Sequence, residues 1–367
     1  MVDAERWVVG LACNEQTKQH NITSGPLSRL ESFAELRHEV FDEPSSWEAP
    51  PPPNPEADER LRRFVGDLDA LIVCHGSPRV TPEVLDAAPK LKLVGEMEGD
   101  RFAQRIDVEA AMTRGVRAVD TTNGSSYPVA EWALAGMLIG LRNAGALFRR
   151  LINHERVYES FEEREQDHGF VQGELSGKKV GLIGGGGHIG RRLTRLLEPF
   201  HVDVLVHDPY MPKEVADVLG VTNTTLDNVL SLPDVVVSLV PDTPRTRGML
   251  GARELDLLTP GTVFVNVSRG VVVDSDALIE RLRRGDIVAS IDVFDPEPIP
   301  VDSPIRDLDN VFLTPHIAGV TGRNRSRFFE LMVDELERTH AGHDTLYDLL
   351  PRTLANRRGA DPTTADI

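Results

Sequence analysis

The chain has 367 residues, more than one ordinary hydrophobic core accommodates and enough for two domains. Its 58 acidic against 40 basic residues leave a net charge of -18, so no basic surface is available to displace counterions from a nucleic acid or to dock on an anionic membrane. Two cysteines, Cys13 and Cys74, cannot build a disulfide framework or a cysteine zinc site, and no metal site is read from the sequence.

The opening MVDAERWVVGLAC puts acids ahead of a short apolar run, unlike a secretory signal. The most apolar stretch, Val129–Leu141, is interrupted by Glu131 and is too short to span a bilayer. A cytoplasmic protein is the expectation.

In chain order, apolar runs predict strands at Val8–Leu11, Leu68–Cys74, Leu91–Gly95, Val116–Val119, Val180–Ile183, Val202–Val206, Val235–Val240, Val263–Val267, Ile287–Asp292 and Val311–Thr314. Helical spacing predicts helices at Pro82–Ala88, Val108–Arg114, Pro128–Arg150, Gly190–Pro199, Ser275–Arg284 and Gly322–His340. The strands are continuous apolar runs without period-2 alternation, the pattern of parallel sheets covered on both faces by helices. The fold class is therefore α/β, with short connections. Glu48–Pro55 (EAPPPPNP) reads as a surface loop, and the polar stretch from Pro351 onward as a flexible tail.

Behind Val180–Ile183 stands GGGGHIG, followed by a stretch with apolar residues at helical spacing. A GxGxxG spacing is met by Gly185, Gly187 and Gly190, and a GxGxxxG spacing by Gly184, Gly186 and Gly190. Either gives a tight turn, a backbone bare enough to touch a pyrophosphate and a helix N-terminus aimed at its charge. Asp208 closes the next strand, eighteen residues past Gly190, where a carboxylate takes the adenosine ribose hydroxyls. A carboxylate there repels a 2′-phosphate, so NAD is favoured over NADP.

Three polar islands follow, each at the C-terminal end of a predicted strand: NVSRG from Asn266, DVFDPEP from Asp292 and TPHIAG from Thr314. Open α/β sheets bind ligands at that edge. An arginine (Arg269), a carboxylate (Glu297) and a histidine (His316) converging there suit hydride transfer on a 2-oxo acid. That reaction needs a bidentate cation for the carboxylate, a proton donor for the carbonyl oxygen, and an acid beside the histidine to hold its tautomer. Singly, each has a plainer account as a salt-bridge, turn or loop residue; their order behind a dinucleotide turn argues against that.

These stretches resemble the D-isomer-specific 2-hydroxyacid dehydrogenases, through VGLIGGGGHIGRRL, SLVPDTPRTRGML, FVNVSRGVVVDSDAL, DVFDPEP and LTPHIAG, and upstream through SSYPVAEWALAGML. The resemblance runs from about Ala70 to Leu336 and is dense from Val180 to Gly319. It implies two Rossmann-like domains with parallel sheets: a coenzyme-binding domain at 125–318 and a discontinuous, flavodoxin-like substrate domain at 1–124 plus 319–350, with 351–367 as tail. It implies catalytic roles for Arg269, Glu297 and His316. Coenzyme contacts fall on Gly185, Gly187, His188, Ile189, Gly190, Asp208, Pro241, Thr243, Ser268, Asp292 and Gly319. Its members are commonly homodimers joined through the coenzyme domain, acting on small 2-hydroxy or 2-oxo acids. Alignment from the helix side, on His188-Ile189-Gly190, selects Gly185, Gly187 and Gly190 and makes Gly184 an additional hinge.

One segment departs from the family. A glycine-rich loop that normally holds the substrate carboxylate is replaced by Glu96-Met97-Glu98-Gly99-Asp100-Arg101-Phe102-Ala103-Gln104-Arg105, longer and acidic. Its carboxylates must point away, pair with Arg101 or Arg105, or accept hydrogen bonds from substrate hydroxyls. His75, Gly76, Glu98, Gly99 and Asp100 are therefore candidate substrate contacts. Two alternatives to a simple 2-hydroxyacid dehydrogenase stand beside it: a NAD(H)-sensing, non-catalytic binding protein of the corepressor type, and a dehydrogenase for a polyhydroxylated, sugar-derived acid.

Overall fold

A computed structural model describes residues 6–44, 50–98 and 105–349. They form two units, one reaching to Ser125 and resuming at Thr321, the other spanning Ser126–Val320. The stretch from Pro351 onward, read as a tail, lies outside the described residues.

The first unit is built on five parallel strands: β1 (Trp7–Cys13), β2 (Ala34–Val40), β3 (Ala70–Val73), β4 (Leu93–Glu96) and β5 (Arg117–Asp120), in the order β2-β1-β3-β4-β5. β3 and β4 are buried at every residue, which is why they read as unbroken apolar runs. β2 escaped the sequence reading: AELRHEV is an edge strand with only Ala34 buried, so it has no such run. The helix Glu15–Asn21, capped by Asn14 accepting from the Thr17 N–H at 2.8 Å, escaped for the same reason. Pro55, expected in a loop, instead opens the helix Pro55–Phe64 at a position where a missing N–H costs nothing, with Asn54 as its cap.

The helix Gly322–His340 starts where predicted because Thr321 caps it, accepting from the Asn324 N–H. It lays Phe328, Phe329, Met332, Val333 and Leu336 onto the face formed by Val9, Leu11, Ile72 and Leu93. The chain then returns along β5, where the Asp120 N–H donates to the Tyr347 carbonyl at 3.0 Å and the Leu349 N–H to the Ala118 carbonyl at 2.8 Å. Glu335, fully buried in that helix, anchors the return: its Oε2 accepts the N–H groups of Leu346 and Tyr347.

The second unit carries seven parallel strands: β6 (Lys179–Ile183), β7 (Asp203–His207), β8 (Thr222–Asn223), β9 (Val235–Ser238), β10 (Val263–Asn266), β11 (Val288–Ile291) and β12 (Val311–Leu313). Their order is β12-β11-β10-β9-β6-β7-β8. The chain reverses its direction of growth between β6 and β9, which sets a crevice at the C-terminal ends of those strands. Helices cover both faces, over one core that includes Val180, Val237 and Val265 and another that includes Ile183, Val236 and Phe264. The helix expected over Pro128–Arg150 is two, Ser126–Leu141 and Ala144–Ile152. Asn143 breaks it with a left-handed φ of 48°, a conformation asparagine tolerates better than most residues. No described helix is long and apolar enough to cross a membrane.

Burial raises the Glu335 carboxyl above its ordinary value, while its two N–H donors oppose the shift. The native state then holds a proton that the unfolded chain releases, so stability falls as pH rises from the ordinary glutamate range through the raised folded value. Glu335→Gln removes that dependence. Urea midpoints of wild type and variant should diverge with rising pH across this window, and a constant offset between them would contradict the assignment.

Candidate functional site

β6 runs directly into the glycine turn. Gly184 has φ +84°, a backbone that L side chains rarely adopt, and its N–H donates to the His207 carbonyl at 2.8 Å. The helix His188–Leu197 begins behind Gly187, and a Cβ on Gly190 would lie 2.3 Å from the Gly185 carbonyl oxygen. Gly185 and Gly190 thus form the close helix–strand contact, the tight bend falls on Gly184, and a Cβ on Gly187 would meet nothing nearer than 3.6 Å. Gly187 and His188 stand exposed at the helix N-terminus, while Ile189 packs toward the core.

Asp208, one residue past β7, lies against this turn. Its Oδ2 accepts the Gly186 N–H and its Oδ1 the Tyr210 N–H, each at 2.9 Å. A helix dipole, bare glycine backbone and a carboxylate held at the next strand end fit a dinucleotide: the first two for pyrophosphate, the third for ribose hydroxyls.

The strands β10, β11 and β12 deliver the polar islands to the same edge. Asn266 folds the first: its Oδ1 accepts the Ser268 N–H at 3.1 Å and the Ser268 hydroxyl at 2.9 Å, and its Nδ2 donates to the Arg269 carbonyl at 3.2 Å. Ser238, at the end of β9, ties in through a 2.9 Å contact with Ser268. Arg269 donates to the Ser268 carbonyl at 2.7 Å. Burial lowers its guanidinium from the ordinary value and the charge of Glu297 opposes this, but arginine begins so high that it stays a cation. A Cβ on Gly270 would sit 1.9 Å from the Phe294 carbonyl, so the backbone after Arg269 rests directly on the loop that leads to Glu297.

Glu297 lies between Pro296 and Pro298, each preceded by a cis peptide bond. Its Oε1 is 2.6 Å from Nδ1 of His316. That contact sets the tautomer: Nδ1 donates to the carboxylate, and Nε2 is the nitrogen that exchanges a proton with a ligand. His316 has φ 54°, a strained conformation for a non-glycine residue, of the order of 1–2 kcal/mol. Asp292 holds it there. The Asp292 carbonyl accepts the His316 N–H at 2.8 Å. Its buried carboxylate accepts the Thr314 hydroxyl at 2.6 Å and the Ile317 and Ala318 N–H groups at 2.9 Å. Sequence reasoning placed Asp292 among the coenzyme contacts and missed this clamp. The Pro241–Thr246 loop is also self-bonded, the Thr246 hydroxyl donating to the Pro241 carbonyl at 2.6 Å and the buried Thr243 N–H to that hydroxyl at 2.9 Å. Gly319 follows the loop that bears His316.

In the first unit, two of the anomalous carboxylates have partners. Glu96 and Arg105, 0 % and 2 % exposed, form a buried ion pair. Glu98 pairs with His75, and the buried Cys74 thiol lies 3.9 Å from its Oε2. Burial holds that thiol well above its ordinary range, first among causes, with Glu98 adding to it. The Gly76 carbonyl accepts the Glu43 N–H at 2.9 Å. Gly99 and Asp100 lie outside the described residues.

A family model described as the D-isomer specific 2-hydroxyacid dehydrogenase, NAD binding domain, matches residues 141–318. A glyoxylate reductase of Thermofilum pendens is 32 % identical over 315 residues, 85 % of this chain and 88 % of that protein. A D-3-phosphoglycerate dehydrogenase of Methanocaldococcus jannaschii is 33 % identical over 287 residues, 77 % of this chain but 52 % of that one. The chain thus spans about half the length of the D-3-phosphoglycerate dehydrogenases it matches. Among solved structures, a phosphoglycerate oxidoreductase from Rhizobium etli superposes with a TM-score of 0.78 at 22 % identity, covering 95 % of this chain and all of that one.

Gly190→Ala forces the helix away from Gly185, whose backbone cannot yield as a flexible side chain would. NADH affinity, read by fluorescence titration, should fall by about tenfold or more, equivalent to ~1.4 kcal/mol or more, with the circular dichroism spectrum retained. Unaltered binding would remove the contact from the cradle.

Proposed function

Because the chain belongs to the D-isomer-specific 2-hydroxyacid dehydrogenases, with NAD as cofactor, we propose that it interconverts a D-2-hydroxy acid and its 2-oxo acid. The observation that carries this reading is the 2.6 Å His316–Glu297 contact, held at the sheet edge that also bears Arg269 and the glycine turn. Arg269 grips the substrate carboxylate with a charge that survives burial. In the oxidative direction the hydroxyl proton passes to Nε2 of His316 while the C2 hydrogen leaves as hydride; in reduction His316 returns the proton to the carbonyl oxygen. NAD supplies the hydride acceptor in one direction and NADH the donor in the other. Glu297 holds the imidazole by its Nδ1, so that Nε2 faces the substrate proton. Gly185, Gly187, His188, Ile189, Gly190, Asp208, Pro241, Thr243, Ser268 and Gly319 contact the coenzyme, and Asp292 serves it by fixing the loop beside it.

The substrate is a small, unphosphorylated acid. The glyoxylate reductase match covers most of both chains and supports small size, and the segment Glu96–Asp100 carries no basic residue to partner a phosphate. His75, Gly76 and Glu98 are substrate contacts in this reading, as are Gly99 and Asp100. The His75–Glu98 pair favours a second version, in which the acid carries hydroxyl groups that the pair reads. A homodimer is part of the proposal. Phe148, Leu151 and Ile152 stand 62 %, 64 % and 56 % exposed on one helix, an apolar face that water does not favour and a second copy would cover.

His316→Ala should lower kcat by about 10²–10⁴-fold while NADH binding persists, the usual share of general acid–base catalysis. Unchanged turnover would remove the mechanism. NADH binding by the wild type without turnover across a panel of 2-oxo acids would favour the sensing protein instead. Leu151→Glu should convert a dimer to monomer in sedimentation velocity, and a dimer indifferent to that charge must join elsewhere.

A further inference from the structure

The glycine turn and its acid both hang on the end of β7. The Gly184 N–H donates to the His207 carbonyl at 2.8 Å, and the Gly186 N–H to Asp208 Oδ2 at 2.9 Å. What holds that end of β7 is the edge strand β8. It has only two residues, Thr222 and Asn223, paired with Leu205 and Val206. The backbone ladder closes with the Thr224 N–H donating to the Val206 carbonyl at 2.7 Å, and side chains take over from there. His207 Nδ1 donates to the Thr224 carbonyl at 3.1 Å. The Asn223 amide grips the Asp208 backbone at both of its polar groups: Oδ1 accepts the Asp208 N–H at 3.1 Å, and Nδ2 donates to the Asp208 carbonyl at 2.9 Å.

Asparagine suits this grip by its chemistry. It presents a donor and an acceptor side by side on a single methylene, whereas a hydroxyl offers one atom for two partners and a carboxylate has no donor. Glutamine has the same amide on a longer stem, with more rotamer freedom to lose. The consequence falls on the Asp208 carboxylate. Its backbone is fixed, and each oxygen accepts one N–H, from Gly186 at Oδ2 and from Tyr210 at Oδ1, so its direction is set. An ionised carboxylate offers about four lone-pair sites, which leaves roughly two for the paired hydroxyls of a ribose. A 2′-phosphate at the same place meets a like charge that cannot swing away. We propose that Asn223 is a positioning residue for coenzyme choice: without touching NAD, it fixes Asp208 in the orientation that accepts ribose hydroxyls and repels a 2′-phosphate. The proposal rests on the assignment of Asp208 to the adenosine ribose. Nothing in the sequence marks Asn223, an exposed residue of a two-residue strand, fifteen positions from the acid it serves.

The test is fluorescence titration of NADH and NADPH with the wild type, Asn223→Ala, Asp208→Ala and the double variant. Asn223→Ala should narrow the ratio of NADH to NADPH affinity by about fivefold, within the coupling found between residues in contact. A role confined to bracing the strand would weaken both coenzymes alike and leave the ratio as it was. Asp208→Ala should narrow the ratio further, and adding Asn223→Ala should then change it no more, because the amide acts only through the carboxylate it holds. Asn223→Leu keeps the bulk of the side chain, lacks both bonds and should repeat the alanine result. If Asp208→Ala narrows the ratio while Asn223→Ala and Asn223→Leu leave it unchanged, the proposal is overturned and the ribose assignment stands. Additive effects of the two alanine substitutions on the ratio would overturn it as well. An unaltered ratio in Asp208→Ala removes the ribose assignment, and the proposal falls with it.

Discussion

The proposed chemistry hangs on one buried carboxylate. Asp292, the residue after β11, is buried, and three donors from the loop after β12 converge on its carboxylate while its own carbonyl takes the His316 N–H. Without that set, nothing would compensate the left-handed backbone at His316, and the imidazole would lose its aim. The arrangement also explains why the acid at the strand end is aspartate. A short side chain on a rigid strand reaches the next loop with little rotamer freedom to lose, and each N–H to a carboxylate is a charge-assisted bond.

From that clamp the rest of the edge follows by contact. Asp292 places His316, Glu297 sets its tautomer, and Gly270 lets the Arg269 backbone rest on the loop that brings Glu297. The three islands are separate in sequence yet mechanically joined, and the sheet beneath them, parallel throughout and covered on both faces, supplies the rigidity. The glycine turn uses the same logic at β6: the bend, the helix contact and the acid partner fall on Gly184, the Gly185–Gly190 pair and Gly186.

How much of this was legible depended on what each residue faces. Strands such as β3, β9 and β10, buried at every position, announce themselves as apolar runs. β2 pairs on one side only and keeps polar residues, and the helices Glu15–Asn21 and Ser24–Glu31 bury only Thr17, Asn21 and Leu30, two of them polar, so no apolar period shows. In the site, residue types and their order revealed Arg269, Glu297 and His316. The φ of His316, the fourfold use of Asp292 and the pairing of Glu98 with His75 arise from chain segments meeting in space, which no local pattern encodes. The acidic loop was read as an electrostatic problem with three solutions, and for Glu96 pairing with Arg105 is the one adopted.

The strand of backbone that returns past His340 has a consequence for the state of the molecule in a crowded solution. β5 is the outer strand of its sheet, and among the described residues Tyr347 and Leu349 bond to its outward amide and carbonyl groups, tethered by the hidden carboxylate of Glu335. Loosening that tether would unmask a row of peptide groups with the spacing of a ready-made template, and a neighbouring chain could add to it strand by strand. The residues after the last helix thus cover an outer strand of the first unit's sheet, and Glu335 is the acid that fastens them.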